Sequence, residues 1–159
     1  MNGNHSKPYA ILVFGAPMSG KTAFASKFSH QFKAPLLNYD ALPGISRKTF
    51  LSLVDQIAQC GQNFLIEGAS DTFKHREEIR SILRSTGYNP VLLWIQTDTN
   101  TIKYRIKSHL KSVEKAKAFF EERLTQLEAP EDSESPVVIS GKHTFETQLK
   151  SALSSLSKI

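Results

Sequence analysis

Eight residues near the start of the chain, Gly15-Ala16-Pro17-Met18-Ser19-Gly20-Lys21-Thr22, constrain the fold more than any other feature. They fit the pattern G-x-x-x-x-G-K-[ST] at every fixed position. The apolar run Tyr9–Phe14 precedes them, and Phe24, Phe28 and Phe32 recur every fourth residue behind them. A buried strand must therefore turn through a glycine-bearing loop straight into a helix with a core-facing stripe. Gly15 and Gly20 permit backbone conformations and close approaches that a Cβ would forbid. The loop N–H groups then point inward, and the positive end of the helix dipole faces the same space. Such a loop is built for a nucleoside triphosphate. Lys21 is expected on the β and γ oxygens and the Thr22 hydroxyl on Mg²⁺, with all eight residues as candidate nucleotide contacts.

Four further apolar runs follow, at 35–39, 63–67, 90–95 and 136–140. Each is nearly continuous rather than alternating, as in strands covered on both faces of a parallel sheet. Helical spacing lies between them: Phe50, Val54 and Ile57; Ile79, Ile82 and Leu83; Phe145, Leu149, Ala152, Leu153 and Leu156. Strand and helix alternating along the chain predict a three-layer α/β/α sandwich with right-handed crossovers. Residues 98–129 break the alternation, reading as one long or two consecutive helices. Ile102, Ile106 and Leu110 make one face, and Ala116, Phe119, Phe120, Leu124 and Leu127 another. Either a lid over the sheet or an ordinary crossover helix with a long tail fits that pattern.

At 159 residues, with 40% hydrophobic and 22% charged residues, the chain suits one domain over residues 9–159 behind a frayed terminus at 1–8. The single cysteine, Cys60, allows no intrachain disulfide and no thiolate metal cluster, which points to a reducing, cytoplasmic setting. No apolar run is long enough for a membrane span. The formal charge of +5 is uneven: residues 103–123 hold seven basic residues, Lys103, Arg105, Lys107, Lys111, Lys115, Lys117 and Arg123, against three acids. That stripe is either a solvated helix face or a surface for an anionic partner. Recognition of RNA by aromatic–basic interleaving has no support in the sequence.

Phosphoryl transfer also needs a metal carboxylate and a group to orient the nucleophile. Glu67 ends the third apolar run, where it would face Mg²⁺, although a strand-end carboxylate can equally cap the next helix. Asp40 ends the second run at the carboxyl edge of the sheet, where ligands bind in open α/β folds. It could accept the proton of a substrate hydroxyl, or serve the turn before Pro43-Gly44. Arg105 and His109 lie one helical turn apart and could both meet a nucleotide. His5, His30, His75 and His143 have no partner at metal-ligand spacing. Cys60 reads as a small buried group, Trp94 as core, and the acidic patch 128–134 as a solvated connection.

Taken in order, these residues resemble the small P-loop kinases of the nucleoside-monophosphate-kinase type, above all the branch of polynucleotide kinases and zeta-toxin-like kinases. The resemblance runs over nearly the whole chain: the phosphate loop, Tyr39-Asp40, Ile66-Glu67-Gly68, Arg76 to Arg80, Gly87-Tyr88 and Arg105-Ile106. It implies a five-stranded parallel sheet of order 2-3-1-4-5, a mobile lid at about 103–128, ATP as donor, and an acceptor that is a small molecule or a nucleic-acid end. It further implies catalytic roles for Lys21, Asp40 and Arg105, with Arg105 stacked on adenine beside Gly141-Lys142. Arg76 would then stand near the substrate or γ-phosphate. Three positions depart from the family pattern. Glu67 stands where aspartate is usual, Ala41-Leu42-Pro43-Gly44 follows Asp40 and leaves Arg47 as the nearest substrate arginine, and His109 replaces a lid arginine.

Overall fold

The computed structural model describes residues 7–109 and 114–159, apart from the side chains of residues 115, 116 and 119. Leu110 and Lys111, and the side chains of Lys115, Ala116 and Phe119, invoked above for the helix faces and basic stripe, lie outside the described residues, as does His5. Five strands, β1 (Tyr9–Phe14), β2 (Leu36–Asn38), β3 (Phe64–Glu67), β4 (Asn89–Gln96) and β5 (Val137–Ser140), form one parallel sheet of order β2-β3-β1-β4-β5. Six α-helices flank it: α1 (Lys21–Phe32), α2 (Arg47–Ala58), α3 (Phe73–Ser85), α4 (Thr99–His109), α5 (Glu114–Gln126) and α6 (Phe145–Leu156).

The near-continuous apolar runs are explained by what each face of the sheet meets. Along β1, Ala10, Leu12 and Phe14 pack with Phe50 and Val54 of α2 and Ile79 and Leu83 of α3. Ile11 and Val13 turn the other way, onto Phe24, Ala25 and Phe28 of α1 and Ala152 of α6. Alternate side chains thus enter two separate cores, so a strand in this position has no polar face. Helix starts are set by local chemistry: the hydroxyls of Ser46, Thr72 and Thr144 accept from the backbone N–H three residues on, opening α2, α3 and α6.

The long stretch before β5 holds two helices, and Ile102 and Ile106 of α4 are buried. The phenylalanine stripe of α1 reaches the core with Phe24 and Phe28 only. Phe32 emerges into solvent, stacked on Phe28 with ring centroids 4.5 Å apart. Cys60, expected to be buried, is exposed, because α2 ends two residues earlier and releases the chain into a turn. Trp94 is half-buried and packs against Phe14 of the neighbouring strand. At the N-terminal side, the Pro8 carbonyl accepts from the Asn89 N–H at 2.8 Å. Among the described residues no helix is long and apolar enough to cross a membrane.

Candidate active site

The loop at residues 15–22 leaves β1 at the carboxyl edge of the sheet. A Cβ on Gly15 would lie 2.6 Å from Ser19 Oγ and 2.7 Å from the Ile95 carbonyl, so only glycine passes there. Met18 and Gly20 take left-handed backbone conformations, with φ of 64° and 98°. Gly20 caps α1 without a side-chain acceptor, which leaves the first N–H groups of the helix open to an anion. The fully buried Ser19 hydroxyl has no hydrogen-bond partner among the described residues.

Sheet register assembles the next layer. Glu67 sits between Val13 and Asn38 on the neighbouring strands, so its carboxylate lies beside the loop's exit. The Thr22 hydroxyl donates to Glu67 Oε1, and Asn38 Nδ2 donates to Glu67 Oε2 at 3.2 Å. Burial raises the Glu67 pKa, while the Thr22 hydrogen bond and the Lys21 charge oppose the rise. Burial likewise lowers the Lys21 pKa. Glu67, Asp40 and Asp71 counter that fall, and Arg123 adds to it. Hydroxyl and carboxylate oxygens are the donors that suit Mg²⁺, which takes one or two protein ligands and completes its shell with phosphate and water. Thr22 and Glu67 fit that demand.

Asp40 lies on a 3-10 turn, Tyr39–Ala41, whose Asp40 and Ala41 N–H groups donate to Asn38 Oδ1 at 3.0 and 3.3 Å. Asn38 therefore holds the turn that bears Asp40 with its carbonyl oxygen and the Glu67 carboxylate with its amide. From α5, Arg123 reaches Asp40 Oδ2 at 3.3 Å and Asp71 Oδ2 at 3.6 Å. Lys21, Asp40, Glu67, Asp71 and Arg123 thus share one cluster of charges at the sheet edge.

On the opposite flank Arg105 of α4 donates to the carbonyls of Met18 and Gly141, both at 2.9 Å, so it joins the phosphate loop to the turn after β5. It borders a cavity of about 610 Å³, lined also by Lys27, His109, His143, Phe145 and Gln148. The His109 ring lies on the Arg105 carbonyl, with Nδ1 donating at 2.9 Å. Lys142 pairs with Asp98 at 2.5 Å, and this hydrogen bond, helped by those from Thr101, holds Asp98 far below the usual carboxylate range. A Cβ on Gly141 would collide with the Thr97 hydroxyl and the Ser19 carbonyl. Gly141→Ala is therefore expected to destabilise the fold by about 1–3 kcal/mol, through forced displacement of the phosphate loop. A urea midpoint unchanged from the parent chain would contradict that close packing.

Two expected substrate arginines are placed differently. Arg76 is fully buried. Its Nε and Nη2 donate to the two oxygens of Glu134 at 2.7 and 2.8 Å, and its Nη1 donates to the carbonyls of Ser70, Asp71 and Glu128. Its guanidinium also covers the Phe14 ring at 4.8 Å. Arg47 donates to Glu78, to the His75 carbonyl and to the Ala69 carbonyl. Ala69 has a left-handed φ of 54°, so Arg47 secures a strained point of the β3–α3 loop. Most of the acidic patch 128–134 is exposed, as a solvated connection requires, but its two ends are anchored. Glu134 is buried on Arg76, and Glu128 Oε2 accepts from the Phe73 N–H at 2.7 Å.

Sequence reasoning missed Asn38, Asp71, Glu134 and the position of Arg123. Asn38 carried a signal, two residues before Asp40 at the end of the same strand. Asp71, four residues past Glu67, carried a weaker one.

The parallel order 2-3-1-4-5, the six flanking helices and the glycine-rich loop after β1 define the α/β fold of P-loop kinases. No protein-family model matches the sequence, and no curated protein matches it. Solved structures do. The fold is similar to a gluconokinase from Sinorhizobium meliloti, with TM-score 0.74, 14% identity and coverage of 96% of this chain and 93% of that one. A sugar kinase from a Janibacter species gives TM-score 0.73 at 22% identity, over 96% and 95% of the two chains. The APS kinase of Mycobacterium tuberculosis, in complex with AMPPNP and APS, gives TM-score 0.71 at 17% identity, over 95% and 98%.

Proposed function

We propose that this chain is an ATP-dependent kinase that transfers the γ-phosphoryl group to a hydroxyl or phosphate of a small molecule or nucleic-acid end. Within the P-loop kinase fold, the order of its motifs sets it nearest the nucleoside-monophosphate-kinase type. One observation carries this reading. A single polar chain, Thr22–Glu67–Asn38, joins the phosphate loop to the turn that bears Asp40. A nucleotide-binding device and a candidate base are thereby set in fixed relation at one sheet edge.

In this reading the open N–H groups of the loop and of α1 hold the phosphates, and Lys21 neutralises the β and γ oxygens. Thr22 and Glu67 would hold Mg²⁺, which supplies charge neutralisation on the phosphate oxygens when bound. Arg105, with Gly141 and Lys142 beside it, borders the cavity that would take the adenine, where a guanidinium plane can stack on the base. Asp40 orients the acceptor and takes its proton. The segment at about 103–128, bringing Arg105 from one side and Arg123 from the other, serves as the lid that excludes water. The nucleotide complex of the structurally similar APS kinase supports the donor assignment.

ATP consumption with Mg²⁺ against nucleosides, nucleotides, sugars and 5′-hydroxyl oligonucleotides, run beside Lys21→Ala and Asp40→Ala, tests the reading. Acceptor-dependent turnover is expected, falling in Asp40→Ala by on the order of 10²–10⁴. A second reading, a nucleotide switch without phosphotransfer, draws on the ion pair that already occupies Asp40. Nucleotide binding that needs Lys21, with no turnover on any acceptor and no effect of Asp40→Ala, selects it.

A further inference from the structure

The acceptor side of the site has a sign of charge, and this inference rests on the kinase reading above. Both arginines that would greet an anionic acceptor are withdrawn. Arg76 is buried with every guanidinium nitrogen donating into the protein. The Arg47 donors are taken up by Glu78 and by two backbone carbonyls. What remains open beside Asp40 is a second carboxylate. The Asp40 and Asp71 side chains are 41% and 36% exposed, and Arg123 bridges them. Among the described residues these three groups sum to −1, with the Lys21 ammonium and the Glu67 carboxylate offsetting each other on the phosphate side. Arg123 is also the cation whose charge is felt at Lys21.

Asp71 is held for this position. Its carbonyl accepts from the Glu128 N–H at 2.9 Å and from Arg76 Nη1 at 3.3 Å, so two donors hold its backbone while its carboxylate stays partly exposed. A phosphate or carboxylate on the acceptor would face two like charges, and the guanidinium between them is already paired to both. Hydroxyl and ammonium groups donate, and two carboxylates offer acceptors in abundance.

We infer that the phosphoryl acceptor is a polyol bearing no phosphate or carboxylate, neutral or amino-substituted, with Asp40 on the reacting hydroxyl and Asp71 on a neighbouring hydroxyl or ammonium. In the transfer, the Asp40 carboxylate takes the proton of the hydroxyl as its oxygen bonds to the γ-phosphorus. The bond from that phosphorus to the β–γ bridging oxygen breaks, and ADP leaves with the electron pair. The products are a phosphate monoester, ADP and a proton on Asp40. Asp71 is a specificity-determining residue that selects against acceptor anions.

The test uses acceptor pairs that differ in one anionic group: a nucleoside and its 5′-monophosphate, a hexose and its aldonic acid, an amino sugar and its 6-phosphate. The full chain is assayed with ATP and Mg²⁺. The non-anionic member of the productive pair is expected to have the higher kcat/KM, by on the order of tenfold or more. Asp71→Asn is expected to raise KM for that acceptor and to narrow the ratio between pair members, a change that loss of packing alone would not produce. Turnover confined to the anionic members overturns the inference while leaving the kinase intact, as does a ratio unmoved by Asp71→Asn. No turnover on either class overturns it too. In that case an ATP-dependent rise in melting temperature, present in the parent chain and lost in Lys21→Ala, shows whether nucleotide binding survives.

Discussion

On the kinase reading, Lys21→Ala should slow phosphoryl transfer sharply while leaving the protein as stable as before, or slightly more so. The two effects have opposite signs because the ammonium sits in a place that suits phosphate rather than the folded chain. Burial lowers its pKa even with Glu67, Asp40 and Asp71 nearby, so the charge is under-compensated without a ligand. Removing it relieves that penalty and leaves the Thr22–Glu67–Asn38 chain in place. In the proposed reading the same change takes away the point charge on the β and γ oxygens. A loss on the order of 10²–10³ in kcat is expected, comparable with removing one preorganised donor at a developing negative charge. Turnover measured beside a urea midpoint reads both signs in one protein. A variant that unfolds early, or one that keeps its rate, would sink the account.

The largest stability effect is expected at the buried Arg76–Glu134 pair. Glu134→Ala leaves the Arg76 cation buried with two of its hydrogen bonds unmade, at a cost of about 3–5 kcal/mol. For a domain of this size that lowers Tm by on the order of 10 °C. Replacing both partners, Arg76→Met with Glu134→Leu, should recover part of the loss, because no uncompensated charge remains. Recovery stays incomplete, since the carbonyls of Ser70, Asp71 and Glu128 lose their shared donor. The pair also has a pH signature. Burial pushes the Glu134 pKa up, but the hydrogen bonds from Arg76 and from the Glu131 N–H outweigh it and hold the group below its ordinary value. A depressed folded pKa means its stabilisation is present above about pH 4.3, the unfolded value, and is lost as pH falls through the lower folded value. Glu134→Gln should therefore flatten the acid limb of the stability profile. A Glu134→Ala cost under about 1 kcal/mol would place the pair among ordinary surface bridges.

The contrast between these two sites shows what was legible in the sequence. The phosphate loop announced itself because its chemistry is carried by contiguous residues whose backbone demands are local, and β1 matched its apolar run at both ends. Strand edges and helix spans were readable for the same reason, since two-sided burial and helical spacing leave periodic traces. Arg76 and Glu134 left no such trace. They are 58 residues apart, each unremarkable among polar neighbours, and only the return of the chain after α5 brings them together. Arg47 shows the same difficulty in reverse. A basic residue soon after Asp40 reads as a substrate contact, yet α2 turns it onto Glu78 and the Ala69 carbonyl. Glu67 was visible as a strand-end carboxylate, whereas its partner Asn38 depended on the register of β2 against β3.

The stretch that carries α4 and α5 is moored where it leaves and rejoins the body. At one end Asp98 caps the start of α4 and pairs with Lys142. At the other, Glu128 donates its N–H to Asp71 and accepts from Phe73 and Arg76. Neither mooring uses the residues in between, and neither belongs to the sheet's two cores. The residues between the moorings are tied in as well: Ile102 and Ile106 are buried, Leu127 packs against one core, Arg105 holds the phosphate loop and Arg123 holds Asp40. The segment therefore acts as a brace across the sheet edge, and a change in its length would be felt at the loop on one flank and at the Asp40 turn on the other.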